Sequence, residues 1–336
     1  MGNRRFVIYG AGAVGAGLGG LLAQAGHEVV LIARGPHLDA LRSGGLQLVT
    51  RDGADTIRIA AVASPRDAAM SADDVVLLTM KGNDTESALH ELEAVADPDT
   101  PVVCVQNGVA NERAALRRFA NVYGVWTMFP VVHLQPGVVR LRTWPIPAIL
   151  DIGRYPGGVD DNAEMIAAAI ESTGCRSTAR PDIMRWKYEK LLTNLVNSVD
   201  AIAEPGPTAL GILAQLRAEG ERVLAAAGIE VIANEEVQQR LGDFLRQTAP
   251  VEGAGMAGSS SWQSVARGTG SIESDYLNGE IVLLARLQGV PAPVNEFVRR
   301  LANEFVRDGR PPNSMPDADL RAAFDNAIAH DGGHRA

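Results

Sequence analysis

The chain has 336 residues, 46 % hydrophobic and 21 % charged, which suits a soluble globular protein of about two domains and excludes disordered, collagen-like and disulfide-scaffold classes. Against 31 basic residues stand 40 acidic ones, for a net charge of −9, and no run of Lys or Arg supplies the positive field a nucleic-acid partner needs. Only three of the basic residues are lysines, Lys81, Lys187 and Lys190, so each is a candidate for a place that requires a compact ammonium rather than solvated charge.

After Arg4-Arg5, the eighteen uncharged residues from Phe6 to Ala23 imitate a leader or a membrane span. Six glycines, at 10, 12, 15, 17, 19 and 20, argue against a lipid-embedded helix, and the expectation is a cytoplasmic protein without a membrane partner. The segment reads instead as a strand over Arg5 to Tyr9, a helix over Val14 to Ala25 and a strand over Glu28 to Ile32. Between the first strand and the helix lies Gly10-Ala11-Gly12-Ala13-Val14-Gly15, a G-x-G-x-x-G turn. There the first glycine permits the tight turn, the second admits a pyrophosphate to the backbone N–H groups, and the third lets helix pack on strand. The second strand ends in Ala33-Arg34 with no acid before Asp39. An adenosine ribose would lack its usual acceptor, whereas the Arg34 guanidinium suits a 2′-phosphate, so NADPH is expected over NADH.

Further strands at Val75 to Thr79, Val102 to Val105 and Val122 to Val125 alternate with helices at Asp84 to Val95 and Asn111 to Arg118, the pattern of a doubly wound parallel sheet. Val132 to Asp151 reads as antiparallel strands that finish this sheet. Lys81 in Met80-Lys81-Gly82 and Asn107 in Gln106-Asn107-Gly108 follow strand ends where such sheets keep their ligand crevice, although Asn before Gly also suits a plain turn. Cys104 and Cys175 lie far apart without the spacing of a zinc site or a disulfide framework, and no metal is expected.

From Asp182 the periodicity turns helical, over Ile183 to Val199, Leu210 to Ala227, Val237 to Arg246, Glu273 to Gln288 and Val294 to Asp308. The expected organisation is an α/β Rossmann-type domain over 1–180, an all-helical substrate and catalytic domain over 181–310, and a tail over 311–336. Pro250 to Ser261, rich in Gly and Ser, reads as a mobile loop. On the helix from Ile183, the residues Lys190, Asn194 and Ser198 share one face, so an ammonium, an amide and a hydroxyl can meet one ligand. Lys187 lies on nearly the same face and rivals Lys190 for the active position. Ser260 and Ser261 suit a carboxylate and Glu273 a substrate hydroxyl or a lysine, but Ser as an N-cap and Glu in a first turn need no ligand.

These residues resemble the ketopantoate reductases (2-dehydropantoate 2-reductases) over nearly the whole chain, to about residue 308. The resemblance implies an NADPH-dependent reduction of 2-dehydropantoate, or a closely related branched 2-oxo acid, as in pantothenate biosynthesis. The family's cofactor residues fall on Gly10, Ala11, Gly12, Ala13, Val14, Gly15, Arg34, Lys81 and Asn107. Its K-x-x-x-N falls on Lys190 and Asn194, and its E-x-D-x-x-N-G on Glu273, Asp275, Asn278 and Gly279. The catalytic set so implied is Lys190, Asn194 and Glu273, with substrate contacts from Asn107, Lys190, Asn194, Ser198, Ser260, Ser261 and Glu273. The chain departs from the pattern at Ser198, where the family has a second asparagine, and at Ser264, where an acidic residue is usual. A β-hydroxyacid dehydrogenase also pairs Lys with Asn four apart, but it places glycines just before that lysine, and Arg180 to Glu189 contains none. A paralogous 2-oxo acid reductase and a non-catalytic NADPH-sensing module remain alternatives. The oligomeric state is left open, a homodimer being one arrangement.

Overall fold

A computed structural model describes residues 4–248, 258–268 and 270–332 of the chain. Most of the expected mobile loop, residues 250–257, lies outside the described residues, as do Thr269 and the last residues of the tail. In chain order the first elements are β1 (Arg5–Tyr9), α1 (Ala13–Gln24), β2 (Val29–Ile32), α2 (Gly35–Gly44), β3 (Leu46–Thr50), β4 (Gly53–Ile57), β5 (Ala60–Val62) and β6 (Asp74–Leu78). Next come α3 (Thr85–Glu93), β7 (Val102–Cys104), α4 (Asn111–Leu116), β8 (Val122–Met128), β9 (Val131–Gln135), β10 (Val138–Leu141), β11 (Ile149–Arg154) and α5 (Asp161–Glu171). The remainder is helical: α6 (Ile183–Asn194), α7 (Asn197–Ile202), α8 (Pro207–Ala226), α9 (Asn234–Leu241), α10 (Ser260–Ala266), α11 (Asn278–Gln288), α12 (Pro293–Arg307) and α13 (Asp317–Gly332).

The chain divides into two compact units, one of Met1–Lys187 with Ile232–Gly255 and one of Tyr188–Val231 with Met256–Ala336. The sequence suggested borders at 180–181 and 310–311; the border between the units lies within α6, between Lys187 and Tyr188, the stretch from Ile232 returns to the first unit, and the residues after 310 group with the second.

In the first unit seven strands form a Rossmann-type sheet in the order β11-β8-β7-β6-β1-β2-β5, parallel except for β11. Its strands are continuous apolar runs because both faces are covered. Phe6, Ile8, Val75, Leu77 and Val103 point into one core, and Val7, Tyr9, Val76, Leu78, Val102 and Cys104 into the other. The expectation that Val132 to Asp151 finishes this sheet is corrected: only β11 does so. Strands β9 and β10 join a separate four-stranded sheet, β4-β3-β10-β9, because β10 pairs with β3 rather than with the main sheet.

That second sheet explains the uncharged glycine-rich helix. Helix α1 packs against the main sheet on one side and the small sheet on the other, so it is apolar all round. A Cβ on Gly19 would stand 2.7 Å from Leu31 of the main sheet, and one on Gly20 would stand 2.9 Å from Leu46 of the small sheet. Among the described residues no helix is long and apolar enough to cross a membrane.

A third core closes over the first half of α6. Trp126, Ile149, Ile183 and Trp186 are covered by Ile232, Val237, Leu241 and Phe244, which is why the later segment belongs to this unit. At its rim Asp151, fully buried, accepts from Arg180 Nε at 2.6 Å and from Arg240 Nε at 2.9 Å.

The second unit is helical among the described residues, and acids borrowed from other helices hold its helix starts. Glu219 of α8 accepts from the Val294 and Asn295 N–H groups at 3.0 and 2.9 Å, satisfying the first turn of α12. Asp317 does the same for α8 through the Thr208 N–H at 2.9 Å.

Candidate functional site

Strand β1 delivers the chain to Gly10, whose φ of +100° lies in the region that favours glycine, and where a Cβ would stand 2.6 Å from the Met80 backbone nitrogen. Gly15 is equally closed, since a Cβ would meet Thr79 Oγ1 and the Gly10 carbonyl. Gly12 is different: a Cβ there has only the Gly10 carbonyl, at 4.0 Å, within reach. The middle glycine therefore faces open space, and no side chain caps the start of α1. Ala11 is buried beneath the turn, and Ala13 and Val14 carry the first helical N–H groups. Uncapped N–H groups at a helix start beside open space fit a pyrophosphate.

Order in the sheet places this turn at the switch point, where β1 lies between β6 and β2. Arg34 stands exposed just after β2, beside the Tyr9 hydroxyl, which donates to Glu91 Oε2 at 2.6 Å. Burial and the Glu91 carboxylate push the Tyr9 hydroxyl above its ordinary value. Lys81 is half-buried after β6. His37, on α2, accepts from the Gly137 N–H at 2.9 Å and lies 4.3 Å, ring to ring, from His133. Burial, with His133 beside it, lowers the His37 imidazole to about 4, although the Ala11 carbonyl of the glycine turn opposes the shift.

The Gln106-Asn107-Gly108 segment follows β7, with Asn107 half-buried and Gly108 at φ +77°. Its main chain is held from below. The Gln106 carbonyl accepts from Lys187 Nζ at 3.0 Å, and the Asn107 carbonyl from Asn111 Nδ2 at 3.1 Å. Lys187 is 3 % exposed and lies 2.6 Å from Glu112 Oε1, which is itself fully buried. Two lysines on α6 therefore have different fates. Lys187 is locked inside the first unit, while Lys190 is half-buried in the second.

In the second unit Asn194 stands one turn beyond Lys190, and its Nδ2 is buried without a hydrogen-bond partner among the described residues. The helix face does not continue to Ser198. Helix α6 ends at Asn194 and α7 begins at Asn197, with Asn278 inserted at the joint and donating to the Leu195 carbonyl at 3.1 Å. Ser198, expected among the substrate contacts, is fully buried and donates to Asn278 Oδ1 at 2.7 Å. Ser260 is exposed at the first turn of α10, and Ser261 beside it is buried with its Oγ unpartnered among the described residues. Ser259 is the residue that caps the helix, accepting from the Trp262 N–H. Ser264 donates to the Ser260 carbonyl at 2.9 Å. Glu273 is buried just before the turn that leads into α11. Sequence reasoning missed Thr85 and Asn111, which meet Gln106 and Asn107, and Glu112, which meets Lys187; these contacts are spatial and leave no local signal in the sequence.

Residues 6–157 match the family model described as ketopantoate reductase PanE/ApbA, and residues 182–305 match its C-terminal counterpart. A 2-dehydropantoate 2-reductase of Pyrococcus horikoshii is 30 % identical over 299 residues, covering 87 % of this chain and 94 % of that protein. The chain belongs to the ketopantoate reductase family. This family is one of oxidoreductases, named for reduction of 2-dehydropantoate. Among solved structures, a PanE/ApbA family ketopantoate reductase from Ralstonia eutropha superposes with a TM-score of 0.74 at 27 % identity, covering 90 % of this chain and 98 % of that one. A D-mandelate dehydrogenase solved with NADH and anilino(oxo)acetate shares the ketopantoate reductase fold, with a TM-score of 0.74 at 23 % identity over 96 % of this chain and 99 % of that one.

Proposed function

We propose that this ketopantoate reductase family member is a cytoplasmic enzyme that uses NADPH to reduce 2-dehydropantoate, or a closely related branched 2-oxo acid, to the 2-hydroxy acid, as in pantothenate biosynthesis. The observation that carries the reading is on α6: Lys190 and Asn194 one turn apart, with the Asn194 amide a buried donor still lacking an acceptor among the described residues. Because the Lys187 ammonium is spent on Glu112 and on two carbonyls, Lys190 is the lysine of α6 assigned to the chemistry.

Gly10, Ala11, Gly12, Ala13, Val14 and Gly15 would cradle the pyrophosphate, Arg34 would take the 2′-phosphate in a charge-assisted contact, and Lys81 and Asn107 would line the nicotinamide end. A bound reduced nicotinamide supplies a hydride to the carbonyl carbon of the oxo acid. As charge gathers on the carbonyl oxygen, the Lys190 ammonium donates a hydrogen bond and then its proton, an effect of roughly 10²–10⁴ in rate. Asn194 orients that ammonium, Ser260 and Ser261 hold the carboxylate, and Glu273 holds the hydroxyl of the substrate. The Ser261 hydroxyl, buried and unpartnered among the described residues, is a donor of the kind a carboxylate satisfies.

Steady-state kinetics with 2-dehydropantoate tests the reading. Turnover with NADPH at a kcat/KM at least about tenfold above that with NADH is expected, since hydrogen bonds to a charged group contribute roughly 1.5–3 kcal/mol. No turnover of 2-dehydropantoate or of any branched 2-oxo acid, or a preference for NADH, overturns it. A second reading, another branched 2-oxo acid, is favoured by Ser264, whose hydroxyl is turned onto the Ser260 carbonyl where the family pattern has an acid. A panel of oxo acids followed by NADPH absorbance separates the two.

A further inference from the structure

We propose that Lys187 and Glu112 form a buried positioning pair that fixes the direction of Asn107, and that Lys187 acts on the reaction only through that residue. The inference rests on the reductase reading, in which Asn107 meets the nicotinamide or the substrate.

The pair is unusual on energetic grounds. Two charges removed from water lose several kcal/mol of hydration each, and their mutual attraction often repays this only in part. A chain with three lysines has nonetheless placed one where it is 3 % exposed, against a carboxylate with no exposure at all. Room is made for it: a Cβ on Gly124 of β8 would stand 3.1 Å from Lys187 Cδ and 3.2 Å from Glu112 Oε1. The ammonium is ion-paired with Glu112 Oε1 at 2.6 Å and donates to the Gln106 carbonyl at 3.0 Å and to the Val125 carbonyl at 3.3 Å. So engaged, it is not free to meet a substrate.

What the pair holds is specific. Asn107 sits between two peptide planes, one carrying the Gln106 carbonyl and the next its own. The first plane is held by Lys187 and the second by Asn111 Nδ2 at 3.1 Å. Since each peptide is planar, fixing both planes fixes φ and ψ of Asn107 and so the direction in which its Cα–Cβ bond leaves the chain. Thr85 locks the two supports together, accepting from Gln106 Nε2 at 2.7 Å and donating to Asn111 Oδ1 at 2.8 Å. Every residue of this cradle lies in the first unit, at the carboxyl end of β7 where an open sheet of this kind binds its ligand. The cofactor-side loop is thus set by a lysine three residues ahead of Lys190 on the same helix.

A double-mutant cycle tests this, because a residue acting through Asn107 loses its effect once Asn107 is gone, whereas a merely structural residue does not. Lys187→Met keeps the stem and removes the ammonium. In the native background it should lower kcat/KM for the oxo acid at least tenfold, and in an Asn107→Ala background less than twofold. Equal factors in the two backgrounds, or no fall in the first, overturn the proposal. Should Lys187→Met fail to fold, Glu112→Gln keeps the shape and weakens the hold on the ammonium. The same cycle then applies to it: a fall confined to the native background supports the proposal, and equal factors or no fall overturn it. Native protein that reduces no oxo acid overturns the reductase reading and this inference with it; native turnover with independent effects overturns this inference alone.

Discussion

The turn after β1 offers a ligand only backbone, whereas the helical unit offers side chains held at the ends of long reaches. At the turn, Gly10 and Gly15 are closed by neighbours and Gly12 is open, so six consecutive residues complete the surface. In the second unit, a buried hydrogen-bonded chain ties α7, α8, α11 and α12 to the joint just after Asn194. Ser198 gives to Asn278, Asn278 gives to the Leu195 carbonyl and to Asn295, and Asn295 gives to Glu219. A backbone surface is specified locally and is hard to lose except by adding atoms. A side-chain surface depends on partners from several helices and fails when any one is cut.

The strongest way to break this contrast is Lys190→Ala. Turnover should fall at least about a hundredfold while NADPH affinity, read by fluorescence titration, stays within twofold. Retained turnover would take the protonating role away from Lys190. Gly12→Ala sharpens the other side. Its Cβ has open space and its φ is −78°, so the melting temperature should not move, yet NADPH affinity should drop about tenfold because the added methyl occupies the approach of the pyrophosphate. A fall in melting temperature with intact affinity would make Gly12 a packing residue. Asn278→Ala should show the reverse signature. Cutting three hydrogen bonds among buried groups, it should cost roughly 1–3 kcal/mol in denaturant unfolding with NADPH affinity unchanged.

The smallest effect concerns pH at the back of the turn. With its imidazole lowered to about 4 from 6.5, His37 stays neutral in the fold while the unfolded chain takes up the proton, so stability falls as pH drops through that window. The groups facing it are His133, the Ala11 carbonyl and the Gly137 N–H. His37→Gln should therefore lose less melting temperature than the native protein between pH 7 and pH 4.5. An equal or larger loss would assign that acid sensitivity elsewhere.

What could be read from the sequence follows the same division. The first β-α-β unit, the glycine turn and Arg34 were legible because their signals are contiguous and their partners lie a few residues away. Helix α6 was legible in period but not in extent, since the break before Asn197 is set by Asn278, some eighty positions later. The small sheet was missed because β10 pairs with β3, and strand polarity alone cannot say which edge a strand will join. Lys187 was flagged as a rival to Lys190 on helical direction. Only its meeting with Glu112, from a helix seventy residues earlier, shows that it points into the sheet's edge.

The return of the Ile232 segment to the first unit has a consequence for synthesis. Trp126, Ile183 and Trp186 are shielded by Val237, Leu241 and Phe244, so a nascent chain that has already made every strand of the seven-stranded sheet still carries an uncovered aromatic surface. The amino-terminal half cannot finish folding while it waits for a stretch made only after α7 and α8 have been translated. A fragment that stops at Lys187 would leave those indoles facing water, and trimming the gene at the apparent border would yield a sticky product rather than a free-standing binding module.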